Sequence, residues 1–577
     1  MKHAGYCWLL AAVLAGCSVR QEPTSRIAAA GRQPASVTMC AVPVLADTTW
    51  YKAGQKAPLL PGLEGVTLKI TSHSAAAQAY FAQGLMLAYG FNHAEAARSF
   101  FEVTRQDSTC AMGYWGYSYV LGPNYNAGME PDNFSRAYRA VRQAQRLAGL
   151  ASPKEQALIA ALATRYPPRP VADRTAYDRA YAEALQAVYQ RYPTDPDVGA
   201  LYAEALMNLH PWDIWQQNGQ PQSWTADIMR TLEQVLQRSP RHAGANHFYI
   251  HATEASGHPE KATGSARLLT TLVPGAGHLL HMPSHTYIRT GQYHLGTLAN
   301  LRALQADSSY LAACHAQGAY PLAYHPHNYH FLTATATLEG NQRLAMLSAQ
   351  KLAASVSHQL MRNALLGPSS QHIYTIPYNV AVKFGRWDQV LTMTNFDTTL
   401  VYPEIIRHYA RGRAWVARRN LPAARRELTR MRMLCQDTAA LQGILFGINS
   451  MQAVTEIAWR ELEGAVLQQE GKLPQSISLL REAVRLEDQL RYNEPPDWFL
   501  SVRHQLGAVL LAAGQYPEAI VVYEQDLARL PHNGWALSGL HQACAAAGNT
   551  ARATAVRQEM AEAWQWADTR LTASIVP

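Results

Sequence analysis

An all-α solenoid of stacked helical hairpins is the fold class this sequence predicts, and three observations carry it. From about residue 75 onward apolar residues recur at spacings of three and four, with few strand signals. The stretch "WFLSVRHQLGAVLLAAGQYPEAIVVYEQDLARLP", residues 498–531, sets small residues, a turn glycine and a closing proline in the order of one hairpin. Related signatures return along the chain, several of them 34 residues apart.

Composition bounds the remaining possibilities. The 577 residues are 48% hydrophobic, which makes this globular material rather than a disordered chain. Lys and Arg are scattered and the net charge is only +8, so no basic stripe forms and a nucleic-acid partner is not expected. The densest basic stretch, Arg425–Met433, reads as a solvated helix face.

The N-terminus reads as an address. Lys2 and His3 precede an apolar run, Tyr6–Ala15, that is too short to span a bilayer. It ends in Leu14-Ala15-Gly16-Cys17, which resembles the bacterial lipoprotein signal. That resemblance implies that residues 1–16 are removed and that Cys17 carries lipid, holding the chain on a membrane of the bacterial cell envelope. The outer membrane or the cell surface is the expected place. No later stretch reaches ~18 uninterrupted apolar residues, so no other membrane span is expected. Beyond Cys7 and Cys17 the cysteines (Cys40, Cys110, Cys314, Cys435 and Cys544) are far apart and odd in number, neither a disulfide framework nor a CxxC metal site. Residues 17–74 read as a tether and irregular lead-in.

The hairpin at 498–531 supplies the frame. Leu506, Gly507, Leu510, Gly514, Ala519, Tyr523 and Pro531 match the tetratricopeptide (TPR) pattern at positions 7, 8, 11, 15, 20, 24 and 32 of a unit beginning at 500. Turn residues and nearby small residues set further units at 77, 243, 277, 326, 371, 405, 457 and 534. Longer intervals imply inserted loops such as "HAQGAYPLAYHP". The frame across 111–242 is left open. The organisation is then N-terminal helical repeats at 75–242, His-rich central units at 243–404 and C-terminal units at 405–567. The fold is a TPR-type α-solenoid, a right-handed superhelix of helix-turn-helix repeats behind a short irregular lead-in.

At 100° per residue, positions 2, 5, 9 and 12 of the first helix point away from the packing positions 4, 7, 8 and 11. By resemblance to TPR proteins they line a concave groove. His247 and His251 take positions 5 and 9 of the unit from 243, with Glu254 at 12. His278, His281 and His285 take 2, 5 and 9 of the next; His327 and His330 take 2 and 5; His372 takes 2. Eight of the twelve positions 2, 5 and 9 in these four units are thus histidine, where 22 histidines in 577 residues predict about half of one, so the clustering is not compositional. The other five framed units place only His504 there.

Imidazoles with a carboxylate suit Zn, Cu, Ni or non-haem Fe, and the sequence does not choose among them. His247, His251 and Glu254 share a face at i, i+4 and i+7 and form a plausible ligand set. This is not an HExxH arrangement, and neither a GxSxG nor a Cys/His nucleophile pair occurs, so no catalytic residue is assigned. Glu254 and Glu339 are the only nearby candidates for a general base. Tyr287, Arg289 and Tyr329 are further groove candidates, and an aromatic groove for a peptide partner is the metal-free alternative. Pro283 and Pro377, at position 7 of their helices, are expected to bend them. "LGPNYN" (121–126) and "YNEPPDWF" (492–499) read as structural connectors.

"AYGFNHAEAARSFFEVTRQDSTCAMGYWGYSYVLGPNYN", "GHLLHMPSHTYIR" and "YNEPPDWF" together resemble a group of bacterial TPR proteins described chiefly by their repeats. The resemblance spans roughly residues 60–565. It implies an all-helical superhelix and no particular reaction. The functional expectation is a membrane-tethered solenoid that takes a ligand or protein partner in its groove and holds a transition metal on the groove histidines. A metal-dependent hydrolase or oxidoreductase and a metal-free interaction scaffold are the alternatives.

Overall fold

The computed structural model describes residues 50–51, 54–66, 68–314 and 320–576. The signal-like segment and Cys17 lie outside them. Among the described residues no helix is long and apolar enough to cross a membrane.

The chain is an all-α TPR-type solenoid in which helices pack in sequence order. The sole strand pairing among the described residues is a short antiparallel ribbon, β1 (Ile444–Leu445) with β2 (Asn449–Ser450). The helices begin where capping chemistry permits. Ser152 and Glu155 form a capping box, Asn341, Asn533 and Asn549 accept backbone N–H groups from the first turn, and Pro153 and Pro196 occupy the opening turn.

The repeat frame holds at its turns. Gly291, Gly340, Gly385, Gly471, Gly514 and Gly548 all take positive φ, between 65° and 81°. Phe91 and Arg419 occupy the same place in their units at φ 55°, a left-handed backbone without glycine's freedom. Gly257 departs from the frame, since its φ is not positive and a 3₁₀ turn, Pro259–Ala262, opens the following helix instead. Between helices, the Tyr523 ring is clamped by Gly507 and Gly539, where any side chain would overlap it.

Prolines shape the central units as follows. At Pro283 the helix is interrupted at one residue: α3 (Gly277–His281) ends and α4 (Pro283–Arg289) begins with Met282, itself in helical conformation, as the joint. Pro377 sits inside a continuous helix, Gly367–Lys383. The described end of the inserted loop, Tyr320–Tyr324, is a π-helical turn leading directly into α5 (His325–Leu338).

The solenoid is closed, with C-terminal repeats returning against central ones. Tyr293 donates to the carbonyl of Pro531 at 2.6 Å, Trp535 Nε1 to the carbonyl of Thr337 at 3.3 Å, and Gln217 to the carbonyl of Gln489 at 2.7 Å. Phe446 N also bonds Ser369 Oγ at 2.8 Å. The segments around Phe446 and Glu494 pack against the His-rich units, Phe446 beside the rings of His330 and His372 and Glu494 beside His285.

Candidate metal centre

Three parts of the chain build the centre. Helix α1 (Ala75–Tyr89) ends at Tyr89, whose carbonyl is one of the terminal acceptors a helix leaves open. Helix α2 (Ala243–Glu254) begins at His242, whose Nδ1 accepts the N–H of Ala245 at 3.0 Å. Gly244 lets α2 approach α1, since a Cβ there would stand 2.6 Å from the Tyr89 ring. The start of α3 is tied to α5 through Asp307. Tyr320 and Asn328 both donate to that carboxylate at 2.7 Å, and the Tyr320 hydroxyl receives the N–H of His278 at 3.0 Å.

On this frame six imidazoles form two sets of three. One ring nitrogen from each of His247, His251 and His278 lies within 4.8 Å of the others, and His281, His285 and His327 do the same. All but half-buried His327 are buried. The sets adjoin, with ring centroids of His251 and His285, and of His278 and His281, 5.7 Å apart.

Oxygen acceptors fix three of the rings, and a fourth stands against a carboxylate. His247 Nδ1 lies 2.5 Å from the Tyr89 carbonyl, and His281 Nδ1 lies 2.7 Å from Asn300 Oδ1. His251 Nδ1 is 2.8 Å from Glu254 Oε1, and His285 Nδ1 is 2.5 Å from Glu254 Oε2. The first three contacts hold the proton on Nδ1 and leave Nε2 as the lone-pair donor, the usual support of a metal-binding imidazole, while the His285 contact has an ion-pair distance without hydrogen-bond geometry. Among the described residues, Nε2 of His247, Nε2 of His251 and both nitrogens of His278 have no hydrogen-bond partner.

Burial sets the protonation. It pushes His247, His278, His281 and His327 well below the ordinary imidazole range, and neighbouring histidines push the same way. For His285 burial is outweighed by Glu254 and Glu494, which hold it above that range, while His285 and His251 hold Glu254 low against its own burial. The rings are therefore mostly neutral, the state a metal requires.

The structure regroups the expected ligands. Glu254 does not complete a set with His247 and His251, because it faces His251 and His285 instead, and His278 takes the third place. His330 stands apart, its ring 6.3 Å from that of His372, with both rings against Phe446. Burial lowers His330 to about 3 and His372 to about 4. His372 Nδ1 meets the Tyr402 hydroxyl at 2.7 Å. Tyr287 is buried in the apolar core rather than facing a groove. Arg289 donates to the carbonyl of Glu254 at 2.7 Å and lies over the Tyr492 ring, bracing the site from outside. Tyr329 packs beside His325, ring centroids 5.2 Å apart. Glu339 pairs with His294 at 3.0 Å, away from both sets.

The two supposed connectors reach the centre. Tyr125 and Trp212 place their rings 5.3 and 5.8 Å from that of His251. Glu494, from "YNEPPDWF", lies buried with a carboxylate oxygen 3.4 Å from His285 Nδ1. The one available signal was a carboxylate among apolar and proline residues.

No family model matches the chain, and no curated protein matches it. Among solved structures it is similar to human IFIT1 as a dimer with m7Gppp-AAAA, at 12% identity, covering 85% of this chain and 91% of that one with a TM-score of 0.30. It is also similar to the APC/C hetero-tetramer Cut9–Hcn1, at 12% identity, 85% and 74% coverage and a TM-score of 0.28.

Proposed function

We propose that the chain is a metal-binding solenoid whose closed interior holds a transition-metal ion on His247, His251 and His278. One observation carries this reading: three buried ring nitrogens converge within 4.8 Å, and partners for them are lacking among the described residues. An unsatisfied buried polar atom costs about 1–3 kcal/mol, and an ion bound by all three rings offsets that cost. Metal–nitrogen bonds of ~2.0–2.1 Å need only small side-chain adjustments from this spacing. Imidazole donors suit Zn, Cu, Ni or Fe, and the described cysteines form no part of the cluster.

Elemental analysis of purified protein tests the reading. At least one ion per chain is expected, and the double change His247→Ala, His251→Ala should abolish retention at that set while helicity persists. Metal-free protein that also takes up none on titration would leave an interaction scaffold, the common role of solenoids.

A catalytic centre is the second reading. Three protein nitrogens leave a coordination position open, as in catalytic rather than structural zinc sites. Glu494 is the nearby carboxylate whose burial raises its pKa, which suits a proton acceptor or donor.

The anchor belongs to the same proposal. Acylated Cys17 would hold the solenoid on a bacterial envelope membrane. Radiolabelled fatty acid should enter the wild type and not Cys17→Ala, and equal labelling of both would end the claim.

A further inference from the structure

Resting on the reading above, we propose that the centre holds two metal ions, the second on His281, His285 and His327. The two sets share no residue, and each brings its three ring nitrogens within the same 4.8 Å. A tetrahedral or five-coordinate ion takes at most five ligands, so one such ion cannot use all six imidazoles.

The two halves are built alike. Phe91 lies against all three rings of the first set, at centroid distances of 4.5, 5.8 and 5.9 Å. Phe331 lies against all three of the second, at 4.7, 4.2 and 4.9 Å. In the first set Nδ1 of His247 and of His251 is held by Tyr89 and Glu254; in the second, Nδ1 of His281 is held by Asn300. Glu254 places one carboxylate oxygen on His251 and the other 2.5 Å from His285 Nδ1, so a single side chain touches a proposed ligand of both ions.

The second set also contains a short nitrogen–nitrogen contact. His281 Nε2 and His285 Nε2 face each other at 2.9 Å while His281 Nδ1 is engaged with Asn300 Oδ1. The lone pair this leaves on His281 Nε2 points at His285, where a proton or a metal ion can lie between the two rings. A bound ion would take both nitrogens as the rings turn slightly apart. His327 is the one half-buried residue among the six.

Stoichiometry separates the outcomes. The full-length protein is stripped with chelator, loaded separately with Zn(II) and, anaerobically, with Cu(I), desalted and analysed for metal per chain. Two ions per chain for at least one of these metals are expected, falling to one in His281→Ala and to one in His247→Ala. If His281→Ala loses helicity, His327→Ala, at the half-buried member of the same set, should give the same loss of one ion. A single ion in the wild type with either metal overturns the two-ion proposal and leaves the single-ion reading standing. No ion with either metal ends both. Two ions that persist in both His281→Ala and His327→Ala place the second ion elsewhere and overturn the proposal.

Discussion

His247 Nδ1 lies 2.5 Å from the carbonyl oxygen of Tyr89, a residue 158 positions earlier in the chain. The contact closes a helix end and, on the proposed reading, aims a metal ligand at once. These two roles can be separated. Asn offers an amide N–H near the place of Nδ1 but nothing at the place of Nε2. His247→Asn should therefore keep most of the apo stability and lose metal at the first set. His247→Ala should lose metal and also about 1–3 kcal/mol of stability, for an unpaired buried carbonyl and a small cavity. Thermal melts of the chelator-treated proteins check this, and equal melts for the two variants would refute the division of roles.

Lys383 gives the stability a pH dependence outside the metal centre. Its ammonium faces His504 Nδ1 at 2.6 Å and lies over the Trp535 ring, with Asp526, Glu461, Glu487 and Arg413 around it. Burial lowers its pKa to about 7, against opposition from Asp526 and Glu461. Between about 7 and the unfolded value of 10.5 the unfolded chain holds a proton that the folded one lacks. Stability from this group therefore rises with pH across that window, and its penalty is complete below it. Lys383→Met should gain most relative to wild type near pH 6.5 and least near pH 10. Urea midpoints that differ by the same amount at both pH values would contradict this.

Gly507→Ala should destabilise the C-terminal repeats. Alanine's better helix propensity is worth up to ~1 kcal/mol, but its methyl group overlaps the Tyr523 ring, and overpacking of this kind costs about 1–3 kcal/mol. The expected result is a lower melting temperature with unchanged helicity at 20 °C.

Arg419→Gly should do the opposite. Arg419 is exposed and its φ is 55°, a conformation that costs an L-residue about 1 kcal/mol or more. Part of that relief is cancelled by glycine's freedom in the unfolded chain. A net gain of about 0.5 kcal/mol in urea titration is expected. A loss would show that the guanidinium makes a contact worth more than the strain.

Features set by local periodicity were legible in the sequence. The turn frame set units at 77 and 405, whose turns the structure places at Phe91 and Arg419, and the helical phase put His247, His251, His278, His281, His285, His327, His330 and His372 on one side. Phase could not say how six rings divide, because that depends on the break at Met282 and on how α2 meets α1. Nor could it assign Glu254, which has the right phase for the first set but turns towards His285. Glu494 was out of reach because it arrives by chain closure, 209 positions beyond the histidine it meets.

That closure changes what kind of folding problem the chain presents. An open solenoid assembles by neighbour contacts alone and can zip from any repeat. Here Pro531 must meet Tyr293 and Trp535 must meet Thr337, so pairs 238 and 198 positions apart belong to the native state. Contacts of such long range slow the search and make distant repeats melt together rather than fray one by one. They also impose an order of events during synthesis. The histidines have all emerged from the ribosome long before the segment that seals them, which leaves an interval in which an ion can still reach the cluster from the open side.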